Sequence, residues 1–207
     1  MTEEESIVYP RFAARGRTFV YLLPCRDEDT LKVGFSRNPL QRLHALHGRY
    51  FHFFDLDRSL LVEVDRLRDA RRIERLLINR FAEHRVPPPL MVRTAAAGHT
   101  EWFRGVASEA DRLVRQLAAD EGLTLHAPLR IWLHDRFNEH ADALYEYSLR
   151  LLEFIEYEQF NVPAGEQRGQ AGAAMRHLLD ACEALQLDLD KLVPQRVLTW
   201  YRDSSLE

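Results

Sequence analysis

The first half of the 207-residue chain holds a tyrosine, a lysine, an arginine and a glutamate at positions where they could act on a phosphodiester. Tyr21 sits in one β-rich run and Lys32 in the next. Arg42 stands one turn into a helical segment, and Glu74 lies inside a later one. A single carboxylate can hold a Mg²⁺-type ion through oxygen while water fills the other positions. Such an ion polarises a phosphoryl oxygen or the leaving group, and an arginine stabilises the extra negative charge of the transition state. A phenol can orient the attacking water and remove its proton. A free tyrosine has a pKa near 10, so that work near pH 7 needs about 4 kcal/mol of help. Lys32, across the hairpin, is expected to supply part of it. The plain alternatives are a packed aromatic at 21, a solvated lysine at 32, and a Glu74 tied to Arg71 and Arg75 as a salt-bridged helix face.

These residues need a small α/β scaffold. Residues 18–23 (TFVYLL) and 31–35 (LKVGF) read as the two strands of a hairpin with a four- to seven-residue connection. Gly34 in the second run marks a bend or a close approach of the backbone to something else. Asn38-Pro39 starts a helix, with Asn as cap and Pro at its first position, and Leu40, Leu43 and Leu46 recur at helical spacing. Residues 59–64 read as a third strand. A second helix starts near Asp69 with Ile73, Leu76, Leu77 and Phe81 on one face, and Pro87-Pro88-Pro89 ends that region in extended chain. Trp102 and Phe103 read as structural closure of this unit.

Beyond Gly105 the pattern is helical: 109–117, a long stretch over 129–160, then 171–185 and 192–201, with a break over 163–169. Leu144, Tyr147, Leu151 and Phe154 recur at heptad-like spacing, as the core of a helical bundle or a dimerisation seam. The expected organisation is an N-terminal extension over 1–16, an α/β unit with its closing helix over 17–127, and a helical domain over 128–207.

Several of these runs, in this order, resemble the GIY-YIG nuclease superfamily. They are Phe19-Val20-Tyr21-Leu22-Leu23, then Lys32-Val33-Gly34-Phe35-Ser36, then Asn38-Pro39 with Arg42-Leu43. Glu74 with Leu77, Phe81 and Arg85, followed by Glu101-Trp102-Phe103, is similar to the phage-type branch, where a K-I-G triplet replaces Y-I-G and an E-W-F element closes the domain. The resemblance covers about residues 17–105. It implies a three-stranded sheet flanked by helices with a one-metal site that uses Mg²⁺ or Mn²⁺. Tyr21 then matches the first-motif tyrosine, Lys32 stands at the second tyrosine's position, Arg42 matches the phosphate-stabilising arginine, and Glu74 matches the metal-binding glutamate. The chain departs from the pattern in lacking the second tyrosine and a counterpart of the C-terminal asparagine. It also has Ile78 where a histidine often follows the glutamate.

The charge pattern fits a polyanionic partner for the front. The net charge of −4 divides into −1 over 1–16, 16 basic against 11 acidic groups over 17–105, and 10 against 18 over 106–207. Of the 28 basic residues only Lys32 and Lys191 are lysine, and the guanidinium fork suits phosphate. Arg66, Arg68, Arg71 and Arg72 form the best run for contacts to a nucleic-acid backbone, with Arg37, Arg42, His44 and Arg85 as further candidates. His44 and His47 lie three apart near Arg42 and could meet a phosphate or a metal, although exposed polar filler is the better reading, and His99 reads as a loop residue. Two distant cysteines, Cys25 and Cys182, read as reduced thiols of a cytoplasmic protein. The start MTEEES lacks a signal-peptide pattern, and no apolar run is long enough to cross a bilayer. The expected function is metal-dependent cleavage of DNA, single strands included, in processing of or defence against foreign DNA. The rivals are an inactive nucleic-acid-binding module and a regulatory protein that binds a protein partner, or itself, through 128–207.

Overall fold

The structure is a computed structural model that describes residues 16–92 and 100–204. Residues 1–15 of the expected N-terminal extension, and His99, lie outside the described residues. The chain forms two compact units, one ending at Leu133 and the other beginning at His134.

The first unit is built on a five-stranded antiparallel sheet of order β4-β2-β1-β3-β5. The strands are β1 (Thr18–Pro24), β2 (Thr30–Ser36), β3 (Leu60–Val64), β4 (Trp102–Arg104) and β5 (Thr124–His126). The three expected strands form its centre. The two added edge strands are three residues long, too short for alternation to register in the sequence. β1 lies between β2 and β3 and all seven of its residues are buried, so it reads as a continuous apolar run rather than an alternating one.

The two faces of the sheet have different partners. Val20, Leu22, Leu31, Val33, Leu60, Val62 and Val64 form one core with Ala70, Ile73 and Leu77 of α3 (Leu67–Arg80) and with Ala110 and Val114 of α4 (Ala107–Glu121). Because strand side chains alternate, Phe19, Tyr21, Leu23, Lys32 and Gly34 point to the other face. That face is covered by α1 (Pro39–Leu46) and by the start of α5 (Leu129–Glu139), where the Phe19 and Trp132 rings meet edge to face at 5.5 Å. Helix α1 begins as its sequence dictates: the Asn38 side chain accepts a hydrogen bond from the Gln41 N–H at 3.1 Å, and Pro39 opens the first turn. The aromatic stretch after it, which carries no periodic signal, forms the short helix α2 (Tyr50–Phe53), whose Phe51 is buried. Helix α4 ends at Gly122, where φ of +62° suits a residue without a Cβ.

The second unit is helical, as expected. It contains α6 (Ala141–Asn161), α7 (Gln170–Ala184), α8 (Leu189–Leu192) and α9 (Gln195–Ser204), with α6 packed against the other three. The expected continuous helix over 129–160 is two helices, divided at His140. The heptad-like stripe is corrected too. Leu144, Tyr147 and Leu151 are buried with Leu152 and Ile155 inside this unit, whereas Phe154 is 55% exposed. Those three residues are core and are not available as a dimer seam. Among the described residues, no helix is long and apolar enough to cross a membrane, and both cysteines are free and buried.

The hairpin contains one close approach that fixes its chemistry. Tyr21 pairs with Gly34 across the strands, and a Cβ at position 34 would lie 2.4 Å from the Tyr21 hydroxyl oxygen and 2.6 Å from the carbon that bears it. The approach expected at Gly34 is therefore that of the Tyr21 ring. Gly34→Ala is expected to destabilise the protein by about 1–3 kcal/mol, the usual cost of forcing extra volume into a packed site. In a Tyr21→Ala background the same change should cost nearly nothing; urea denaturation of the four proteins checks this.

Candidate active site

Tyr21 projects from the middle of the central strand and is 2% exposed. Its hydroxyl oxygen accepts a hydrogen bond from Arg42 Nε at 3.0 Å. Arg42 reaches it from α1, whose buried edge is set by Leu40, Leu43 and Leu46. Burial pushes the Tyr21 phenol above its ordinary value of 10.0, and the charge and hydrogen bond of Arg42 only partly offset this. Lys32 was expected to ease the ionisation of Tyr21, and the geometry corrects that expectation. The neighbour that favours the phenolate is Arg42, and burial outweighs it, so Tyr21 is a neutral phenol near neutral pH.

Lys32 is committed elsewhere. Its side chain is 1% exposed and its Nζ donates to Glu101 Oε2 at 2.9 Å. The β2–β4 register pairs Lys32 with Trp102, and Nζ stands 5.7 Å from the centre of the Trp102 ring, which adds a cation–π contact. Backbone pairing reinforces the link, since Val33 N–H donates to the Glu101 carbonyl at 3.1 Å. Burial draws the Lys32 pKa below its ordinary value against the raising influence of Glu101. Glu101 responds in the opposite sense: burial pushes it up, but hydrogen bonds from Thr100 and Lys32 prevail and hold its carboxyl below the ordinary value. Trp102 and Phe103 are fully buried, with Trp102 stacked over Phe54 at 6.4 Å, so they close the core as expected.

Glu74 lies on α3 at the edge of its buried face, between Ile73 and Leu77 on one side and Arg71 and Arg75 on the other. It makes no ion pair among the described residues, which removes the salt-bridged-face reading. Burial raises its pKa, the charge of Glu101 raises it further, and Lys32, Arg42 and Arg71 act against both. Tyr21, Lys32, Arg42, Glu74 and Glu101 are thus one electrostatic group, assembled from two strands, two helices and the start of β4. The unpaired, half-buried Glu74 carboxylate is the member free to take a cation. Among the described residues, no three His, Cys, Asp or Glu side chains gather as a metal site. An ion here would rest on Glu74 with water and substrate oxygens, a ligand set that Mg²⁺ accepts.

The remaining candidates fall in three places. His44 is half-buried on α1, two residues past Arg42, and Arg37 is exposed on the link into that helix. His47 stacks on Phe53 at 4.5 Å and its Nδ1 accepts from the Arg49 N–H, a packing role. Arg66, Arg68, Arg71 and Arg72 are exposed at the start of α3 and along its outer side, and Arg72 pairs with Glu121 of α4. Arg85 is exposed and its backbone bridges to Phe103 beside β4. Two residues gain weight that the sequence did not give them. Glu101 was legible only as part of a closing motif, because its partner Lys32 lies 69 residues away. In the sequence Arg75 reads only as a possible partner of Glu74.

Residues 18–118 match the family described as the T5orf172 domain, a phage-associated domain related to GIY-YIG and endonuclease-like folds. The matched segment contains every member of the group around Tyr21. No curated protein and no solved structure matches the chain.

The Lys32–Glu101 pair is asymmetric, because only Glu101 reaches water: its side chain is 23% exposed against 1% for Lys32. Glu101→Gln strands a buried ammonium and should cost about 3 kcal/mol or more, whereas Lys32→Met leaves a carboxylate that can be solvated and should cost less. Adding Lys32→Met to Glu101→Gln should therefore recover stability. Urea denaturation decides, and the opposite order of the two single variants would contradict the pairing.

Proposed function

We propose that the front unit is a divalent-metal-dependent endonuclease that hydrolyses DNA phosphodiester bonds. The observation that carries this reading is the hydrogen bond from Arg42 to the buried Tyr21 hydroxyl, within electrostatic reach of a half-buried Glu74 that makes no ion pair among the described residues. Packing does not require a buried phenol to meet a guanidinium next to a carboxylate left without an ion pair. The T5orf172 match over 18–118 supports a nuclease-like or DNA-binding module in the same segment. The basic balance of 17–105 suits a polyanionic substrate.

In this reading Glu74 holds one Mg²⁺ or Mn²⁺, which when bound supplies Lewis-acid stabilisation of the phosphoryl charge. Arg42 places its guanidinium where negative charge grows on the phosphate. The Tyr21 hydroxyl accepts from Arg42 Nε and thereby fixes that guanidinium, and its own proton is left to orient the attacking water or a phosphate oxygen. Lys32, whose Nζ is committed to Glu101, does not touch substrate. It acts through Glu101, holding that carboxylate ionised and in place at the rim of the site. The proposal thus keeps Tyr21 and Arg42 as groups that meet substrate and treats Lys32 as a positioning residue.

A second reading has its own observation. In the helical unit Phe154, Tyr157 and Phe160 recur along α6 and are 55%, 63% and 85% exposed. An acidic unit with an exposed aromatic row fits protein association better than DNA, so we assign the rear of the chain to a protein partner or to self-association.

The test incubates the full chain with supercoiled, linear duplex and single-stranded DNA in Mg²⁺ or Mn²⁺, with chelator as control. Cleavage that chelator abolishes is the expected result, and Arg42→Ala should slow it about 100- to 1,000-fold. Tyr21→Phe should slow cleavage without moving the pH–rate profile between about pH 6 and 9, because the phenol stays protonated throughout that range. A profile whose rise in that range disappears in Tyr21→Phe would instead make Tyr21 the base. Salt-sensitive binding with no cleavage in either metal would leave a binding module.

A further inference from the structure

The outer side of α3 has a charge pattern that folding alone does not reward. Arg68, Arg71, Arg72 and Arg75 stand at i, i+3, i+4 and i+7, which places all four on one face. Like charges at these spacings repel and weaken a helix. Arg66 and Arg68 crowd the amino end, where the helix dipole disfavours positive charge. Only part of this charge is compensated. Arg72 pairs with Glu121, and Arg68 leans on its half-buried neighbour Asp69 at 3.6 Å. Arg71 and Arg75 have no carboxylate within ion-pair distance among the described residues, and both are exposed.

The four arginines are not dispersed over a convex surface. With Leu67, Leu76 and Asn79 they line an open groove of about 440 Å³. The guanidinium fork matches phosphate oxygens two at a time. From Arg68 to Arg75 the helix rises about 10 Å, close to the rise of three nucleotides along one strand. The groove also adjoins the candidate site, because Arg71 lies one turn before Glu74 on the same side and Arg75 directly follows it.

We propose that the α3 groove is the seat of the DNA backbone flanking the scissile phosphate, with Arg71 and Arg75 as its principal phosphate contacts. This rests on Glu74 marking the cleavage site, and it adds where the rest of the strand lies. Contacts of this kind are made to phosphate and carry no sequence information, so the groove binds DNA without base preference. Arg75 joins the DNA-contacting residues, and Arg72, tied to Glu121, contributes less than Arg71.

The test measures binding alone, in chelator, so that it is independent of cleavage. Fluorescence anisotropy with a labelled DNA duplex and the matching single strand, over a series of salt concentrations, compares the full chain with Arg71→Ala/Arg75→Ala. A second pair, Arg112→Ala/Arg115→Ala on α4, controls for total charge. On duplex DNA the α3 pair should weaken binding at least tenfold at low salt and reduce the slope of log affinity against log salt by about 2, one unit per lost phosphate contact. The α4 pair should leave both nearly unchanged, and Arg71→Lys/Arg75→Lys should keep most of the slope. Four results would overturn the proposal: no DNA binding by the parent chain, an unchanged slope in the α3 pair, equal loss in both pairs, or loss confined to one base sequence. If the α3 pair fails to bind as expected while the parent never cleaves, the groove stands and the nuclease reading falls.

Discussion

The site depends on the contact between the Tyr21 ring and the backbone at Gly34. Two antiparallel strands can bring a phenol this close to the neighbouring chain only where the facing residue has no Cβ. With the ring held there, the hydroxyl ends where Arg42 can reach it from α1. The same register places Lys32 opposite Leu23 and, on its other side, opposite Trp102. A glycine in the second strand therefore sets the position of a phenol, a guanidinium and, two residues earlier in β2, a buried ammonium. Around that point the apolar residues of β1 supply rigidity on both faces of the sheet.

The electrostatics follow from burial rather than from any single ion pair. Taking Tyr21 and Lys32 out of water favours their neutral forms, while Glu101 answers the lysine and Arg42 answers the tyrosine. Glu74 is the group left over, half-buried and opposed by the negative charge of Glu101. A divalent cation would relieve that repulsion, which is the physical reason this group is suited to hold one. It also explains why a lysine can stand where the resemblance places a second tyrosine. In the proposed reading the lysine serves the fold and holds Glu101 instead of meeting substrate.

Much of this was legible in the sequence, for identifiable reasons. The hairpin, the Asn38 cap and Pro39 are local signals, and each formed as its residues dictate; of the expected apolar face of α3, Ile73, Leu77 and Phe81 are buried but Leu76 is exposed. Gly34 announced a close approach, and the order of motifs named the residue types around it. What was not legible is non-local or too short. Glu101 finds Lys32 across 69 residues, and strands of three residues show no alternation. The division of the long helix at His140 occurs without a proline or glycine to announce it. Phe154 continued the stripe of Leu144, Tyr147 and Leu151 on paper, but in the structure the α6 core face runs on through Leu152 and Ile155 and leaves Phe154 exposed.

In the proposed reading Glu74 carries the cation on which DNA cleavage depends. Titration calorimetry of Mn²⁺ into the full chain and into Glu74→Ala, with cleavage measured on the same samples, tests it most directly. One ion should bind the parent, and the variant should lose both binding and cleavage. A parent chain that cleaves DNA without binding Mn²⁺ or Mg²⁺, or a Glu74→Ala variant that still binds the ion and cleaves at the parent rate, would contradict it.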